Sequence, residues 1–488
     1  MILNLNNINN INSKIEVPRY NISKINPGFL HFGVGNFHRA HQAVYVHELL
    51  QKGFKDLAII GVSLRSRYIK EKLENQDYLY SVCQISKRIE KIKIINSIKN
   101  IIYAPEEPDR IINYISDQNI KYITITVTEN GYKYNPETSS LLKDKDLKND
   151  LKENSNPKTL IGFIARGLYK RSKLTDAPII IISCDNLSNN GNILKKLIIE
   201  FFSLVYPNSI NWINNNVKFP NTMVDGIVPR TNIENLKKIE KKISLNDNAS
   251  IIHEPYSQWC IENSNFDKDI FFVNSKIKLV ENIRLYEDIK LRFLNASHSA
   301  IAYIGLLLGY KYVYEVLQNE ECYKFILNFM HKDVSTIIHT PLNFNKDSYI
   351  NLTLDRFKNP YLKDNLSRIS MDGSYKIKLR FLDSFKERLK NNSCDYIIFI
   401  IACWLKFLHG RNELNKRIDI IDPNLKYLNN IINSSKGNTD ILIENFVNYK
   451  FVFEINNKDK LFLKKNLKDH YTIINKIGVM NSIKKINK

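Results

Sequence analysis

Near its start the chain reads Phe29-Leu30-His31-Phe32-Gly33-Val34-Gly35-Asn36-Phe37-His38-Arg39-Ala40-His41-Gln42-Ala43. A short apolar run suited to a buried strand meets two glycines, and a helical pattern follows to about Gln51. Strand, tight turn and helix in this order can seat a dinucleotide. Glycine lets backbone amides approach a pyrophosphate, and the helix start adds positive potential. Gly33, Gly35, Asn36 and Phe37 are the expected cofactor contacts. His38 stands where a third glycine or an alanine is usual, so an ordinary tight turn is the bland alternative.

Further apolar runs at 57–64, 122–128 and 178–183 are continuous rather than alternating. That pattern suits parallel strands buried on both faces, and the helical stretches between them predict a doubly wound α/β sheet. From about residue 280 long helical patterns take over, at 284–307, 311–331, 375–390 and 394–408. The predicted fold class is α/β, a Rossmann-type N-terminal domain with a mainly α-helical C-terminal domain. Residues 1–26, rich in Asn, are expected to form a loose arm. Residues 27–279 form the dinucleotide-binding domain and 280–488 a helical substrate-binding domain, with a frayed basic tail at 481–488.

A chain of 488 residues has room for two domains, and 43% hydrophobic residues can fill their cores. The longest apolar run, Asp395 to Trp404, is too short for a bilayer. No basic patch precedes an apolar stretch at the N-terminus, so no signal peptide is expected and the cytoplasm is the predicted location. The 6 cysteines are scattered without a C-x-x-C pair and fit a reducing compartment. The net charge of +21 comes with an excess of Lys, Asn and Ile together, as a codon bias would give. It reads as a solvated basic surface, with steering of an anionic small substrate as the alternative. Neither aromatic–basic interleaving nor zinc-finger spacing supports a nucleic-acid partner. His38 and His41 lie near each other without acidic or cysteine ligands, so no metal is expected.

The richest chemistry lies in Glu287-Asp288-Ile289-Lys290-Leu291-Arg292-Phe293-Leu294-Asn295-Ala296-Ser297-His298. On an ideal α-helix Glu287 lies about 60°, His298 about 80° and Asn295 about 140° from Lys290, one broad face. A solvated face with Glu287 paired to Lys290 is the bland alternative. Against it, Leu291, Phe293, Leu294, Ala300, Ile301 and Ile304 leave little of this helix for solvent. A lysine dehydrated in that way gives up its proton more readily.

Two other segments carry candidates. Asn186, in Ser183-Cys184-Asp185-Asn186, ends a buried strand, where open α/β sheets bind ligands, or else merely closes an Asx turn. Asp225, in Phe219-Pro220-Asn221-Thr222-Met223-Val224-Asp225-Gly226, has apolar neighbours that predict a partly buried, paired carboxylate. After the second strand, where an acidic residue would favour NAD, the chain has Ser63-Leu64-Arg65-Ser66-Arg67. Arg65 is a candidate cofactor contact, and NAD against NADP stays open.

These motifs resemble the polyol-specific long-chain dehydrogenases, the family of mannitol 2-dehydrogenase, arabinitol dehydrogenase, and fructuronate and tagaturonate reductases. The match runs in family order over roughly 27–410. It uses the segments His31–Gln42, Ser183–Asn186, Phe219–Asp225, Glu254–Trp259, Tyr286–His298 and Arg368–Ser374. The resemblance implies metal-independent hydride transfer between a nicotinamide cofactor, more often NAD, and a secondary alcohol. It implies Lys290 as general base, and Asn186 and Asn295 as the pair holding the reacting oxygen. Asp225 and His298 are implied as supporting contacts, Glu287 as an aid to proton movement, and Arg368 as a substrate contact. The expected partner is a small sugar acid or polyol, and the family suggests a monomer or weak oligomer.

Gly226 departs from the family, which usually has arginine there. Met371–Ser374 and Ser299 look more like the uronate reductases, so a fructuronate–mannonate couple is the leading expectation. A mannitol–fructose or arabinitol couple is the alternative. A binding protein that has kept the fold without catalysis is a further one.

Overall fold

The unbroken apolar runs become strands with no solvent-facing side. The structure is a computed structural model describing every residue except 136–137, 154, 232, 267–268 and 391–393. It divides into two compact units, Met1–Arg284 and Leu285–Lys488. In the first, β1 (Pro27–Phe32), β2 (Ala58–Ser63), β3 (Ile98–Tyr103), β4 (Tyr122–Ile125), β5 (Ile179–Ser183) and β6 (Val217–Lys218) form one sheet. Its spatial order is β6-β5-β4-β1-β2-β3, with every neighbouring pair parallel. Read from the other edge, this is the dinucleotide-binding order, and its switch point lies between β1 and β4. Ligands bind there, outside the carboxyl ends of the strands.

Two separate apolar layers cover the sheet. Phe29 belongs to one, with Val46, Leu49 and Trp259, and its chain neighbour Leu30 to the other, with Ile111, Phe163 and Phe201. The side-chain alternation along β1 therefore serves two cores at once. β3 was not expected. Its Lys99 and Asn100 interrupt the apolar run, which an edge strand tolerates. Tyr80–Ile85 and Glu90–Ile95, also unexpected, pair antiparallel beside Ile251–His253 in a smaller sheet.

Residues 1–26 are not a loose arm. Leu3 is fully buried, and its N–H donates to the Asn246 carbonyl at 2.9 Å. The Glu16 carbonyl accepts from Ile94 N at 2.8 Å, and Ile22 and Ile25 join the core. The apolar residues spaced among the asparagines are the anchors that composition hid. Nor is the basic tail frayed. It ends the helix Asn457–Ile486, where Ile483 is fully buried and Asn487 Nδ2 donates to the Glu321 carbonyl at 2.9 Å.

In the second unit, the run expected as one helix over 284–307 has three parts. Ile283–Ile289 and Ala296–Leu307 are α-helical, and Lys290–Asn295 between them is a π-turn. Two more π-turns, Phe329–Val334 and Lys378–Leu382, occur in this unit among the described residues. No helix among them is long and apolar enough to cross a membrane.

Candidate active site

At the switch point, β1 and β4 end against each other. Gly33 has φ +97°, and a Cβ there would lie 2.1 Å from the Thr126 carbonyl oxygen. Only glycine fits both the dihedral and the approach. The Gly33 carbonyl accepts from Thr126 Oγ1 at 2.7 Å and from His31 Nε2 at 3.0 Å. His31 is fully buried, and burial pulls its pKa down from 6.5 to about 3 despite the opposing Gly33 carbonyl. Its neutral ring donates from Nε2, which leaves Nδ1 to accept from Thr124 Oγ1 at 2.7 Å.

His38, in the place of the usual third small residue, lies flat on His31 with ring centroids 3.3 Å apart. Burial, then the charges around it, keep it uncharged. The helix expected to run from the glycines to Gln51 instead breaks at His41, whose φ is −122° and ψ −92°. Its two parts are Asn36–Ala40 and Gln42–Gln51. Asn36 Oδ1 accepts from Arg39 Nη2 at 2.7 Å, and Phe37 stacks on His41. Gly35 and Arg65 are exposed. The turn after β1 and the residue two beyond β2 are thus open to solvent.

Asn186 and Asp225 follow from one piece of carpentry. Asn190, which sequence reading missed, donates from Nδ2 to the Ser183, Asp185 and Thr222 carbonyls at 3.3, 3.2 and 3.0 Å. Its Oδ1 accepts from Thr222 N at 2.9 Å. One fully buried carboxamide thus staples the end of β5 to the strand Thr222–Asp225. Asp185 does similar work toward β4, accepting from Val127 N and Thr128 N, both at 3.0 Å, and from Tyr132 at 2.8 Å. Asn186 is exposed just beyond this anchor, and Asp225, 2% exposed, ends its strand opposite Gln258. Asn190 gave no signal in the sequence, whereas Asp185 lay inside a motif already singled out.

Lys290 and Asn295 are the first and last residues of the π-turn. Ala296 N donates to the Leu291 carbonyl, the i→i+5 pattern of a π-helix. This corrects the wheel angles. If the wide turn absorbs one residue, Asn295 moves to about 40° and His298 to about 20° on the other side of Lys290. All three then share a narrower face than an α-helix would give them. Glu287, part-buried, precedes the π-turn on the α-helical segment Ile283–Ile289, and Lys290 is 8% exposed. Burial lowers the His298 pKa, with Asp364 opposing. Arg368, half exposed, is joined to His298 through Asp364, which each of them contacts.

Among the described residues, no group of 3 or more His, Cys, Asp and Glu side chains is arranged to hold a metal ion.

Residues 27–272 match the mannitol dehydrogenase Rossmann domain, and 282–473 the mannitol dehydrogenase C-terminal domain. The chain belongs to the mannitol dehydrogenase family. It is therefore an oxidoreductase among the polyol-specific long-chain dehydrogenases. Family relatives include the mannitol 2-dehydrogenase of Emericella nidulans, 34% identical over 85% of each chain. That of Pyricularia oryzae is 33% identical over 84% of each. Among solved structures of the family, Pseudomonas fluorescens mannitol 2-dehydrogenase in a ternary complex with NAD and D-mannitol gives a TM-score of 0.88 at 26% identity. That likeness covers 100% of this chain and 99% of the other. A D-sorbitol dehydrogenase in substrate-free form gives 0.85 at 27% identity, covering 99% and 100%.

Proposed function

We propose that the chain is an NAD-dependent polyol 2-dehydrogenase that interconverts a polyol and its 2-ketose, a pair of the mannitol–fructose kind. The observation that carries this reading is the whole-length likeness to an enzyme bound to NAD and D-mannitol. It is supported by a helix that bears Lys290, Asn295 and His298 on one face. Two of the residues that suggested a ketouronate, Ser299 and Ser374, are engaged within the fold. Ser299 Oγ accepts from Arg380 at 2.8 Å, and Ser374 Oγ donates to Asp422 at 2.7 Å. The polyol reading is therefore preferred to the fructuronate one.

The chain suits the cofactor. Gly33 lets the turn after β1 pack against the Thr126 carbonyl, which any side chain would block, and this turn lies at the switch point where dinucleotides bind. When bound, the nicotinamide accepts hydride from the alcohol carbon, or returns it to the ketone. Gly33, Gly35, Asn36 and Phe37 would hold its phosphates, and Arg65, two residues beyond β2, would meet the adenosine ribose.

Lys290 takes the hydroxyl proton onto Nζ in oxidation and gives it back in reduction. The Asn295 carboxamide donates to the oxygen as charge grows on it, and so stabilises it. Glu287 relays the proton away from Lys290. His298 binds substrate hydroxyls, and Arg368 is a further substrate contact. Asn186 as second donor to the oxygen, and Asp225 as a supporting group, rest on their motifs alone.

The test is turnover by the purified protein of mannitol, arabinitol, sorbitol and mannonate with NAD, and of fructose and fructuronate with NADH, with NADP(H) controls. Mannitol and fructose should turn over with NAD(H). Turnover confined to mannonate and fructuronate would replace this reading with the uronate one. No turnover by a folded chain would leave a binding protein.

A further inference from the structure

A π-turn is rare and rarely survives without a local cause. Here one separates Lys290 from Asn295, and two ties hold it to the run 373–389. From within the π-turn, Arg292 makes paired bonds to Glu387, Nη1–Oε2 and Nη2–Oε1, each 2.8 Å. In return, Arg380 Nη1 donates to the Asn295 carbonyl and to Ser299 Oγ, each at 2.8 Å. Arg380 itself sits in the π-turn Lys378–Leu382. The Asn295 carbonyl lies at the seam where the wide ladder returns to the α ladder. There a charged donor can hold a carbonyl in place more firmly than a neutral one.

We propose that Arg380 is a positioning residue for the reaction: by gripping the Asn295 carbonyl and the Ser299 hydroxyl, it fixes the π-turn that keeps Lys290 and Asn295 on one face. The inference rests on the catalytic reading given above for that face. If the grip is lost, the seam can relax toward an α-helix. Asn295 then swings away from Lys290, although neither side chain has changed. A displacement of about 1 Å at a reacting group costs about 100-fold in rate.

The test uses Arg380→Ala and Arg380→Lys in the full chain. For Arg380→Ala, kcat for polyol oxidation should fall about 10- to 100-fold, with the NAD dissociation constant unchanged. Added guanidinium, at concentrations below those that unfold the chain, should restore part of the loss. Arg380→Lys, with one cationic donor left, should lie between variant and parent. Amide hydrogen exchange should quicken at 295–300 in both variants, and far less in the first unit. The proposal is overturned if kcat stays within twofold of the parent. It is also overturned if kcat falls while exchange at 295–300 stays as in the parent. Should Arg380→Ala not fold, Arg380→Lys decides by the same two readouts. Should the parent itself turn over no polyol or ketose, the functional reading fails, and exchange at 295–300 still decides whether Arg380 holds the turn.

Discussion

Asp364 Oδ2 lies 3.4 Å from His298 Nε2. The other carboxylate oxygen accepts from Arg368 Nη2 at 2.6 Å. Burial opposes ionisation of Asp364, yet its contacts with His298 and Arg368 bring its pKa down from 3.8 to about 2. A carboxyl depressed by folding contributes stability that is present above pH 3.8 and is lost as pH falls toward 2. Asp364→Asn should therefore cost about 2 kcal/mol at neutral pH. In urea unfolding over a pH series, the gap between parent and variant should narrow below about pH 4. A gap that does not change with pH would count against an ionised Asp364.

Asp333 should behave in the opposite sense. It is 1% exposed, and burial raises its pKa from 3.8 to about 6, although Ile397 N donates to it and Arg388 lies near. Folding therefore favours its protonated form up to about pH 6. Stability from this group is full below pH 3.8 and is lost as pH rises through 6, on the order of 3 kcal/mol. Asp333→Asn keeps an acceptor for Ile397 N without the charge. Thermal melting of this variant should depend less on pH between 4 and 6 than that of the parent.

Lys290→Ala should lose turnover by at least about 100-fold while the chain stays folded. NADH binding, followed by fluorescence, should be unchanged. Comparable activity at neutral pH would remove Lys290 from the role of base.

Gly33→Ala tests the cofactor turn. The new Cβ would meet the Thr126 carbonyl at 2.1 Å in a backbone conformation at φ +97°. Strain alone should cost about 1–3 kcal/mol, and NAD should bind more weakly by titration calorimetry. Gly226→Ala is the contrast. Its Cβ would have ordinary room, 3.5 Å from the Tyr256 carbonyl, so stability should hardly change.

Much of this was legible in the chain. Phe29–Phe32, Ala58–Ser63 and Ile179–Ser183 announced themselves because strands covered on both faces need no polar alternation. Ile98–Tyr103 stayed hidden because an edge strand can carry Lys99 and Asn100. The residue types at 287–298 pointed to proton chemistry, but their geometry did not follow from them. A π-turn depends on what packs against it, here Arg380 and Glu387, and both are remote in sequence. Asn190 was illegible for a similar reason, since its bonds run to two strand ends rather than to its own helix.

The anchoring of Glu16 has a consequence for solubility. Glu90–Ile95 is the outer strand of its small sheet, and Glu16 bonds along that outer side, through Ile94 N and by ion pairs from Lys91 and Lys93 at 3.3 and 3.6 Å. A chain cut back to Pro27 would keep all of β1 to β6 and still bare this edge. Bare edges recruit strands from neighbouring molecules. The asparagine-rich segment 1–26, plain as sequence, thus covers part of an edge that would otherwise be open to pairing.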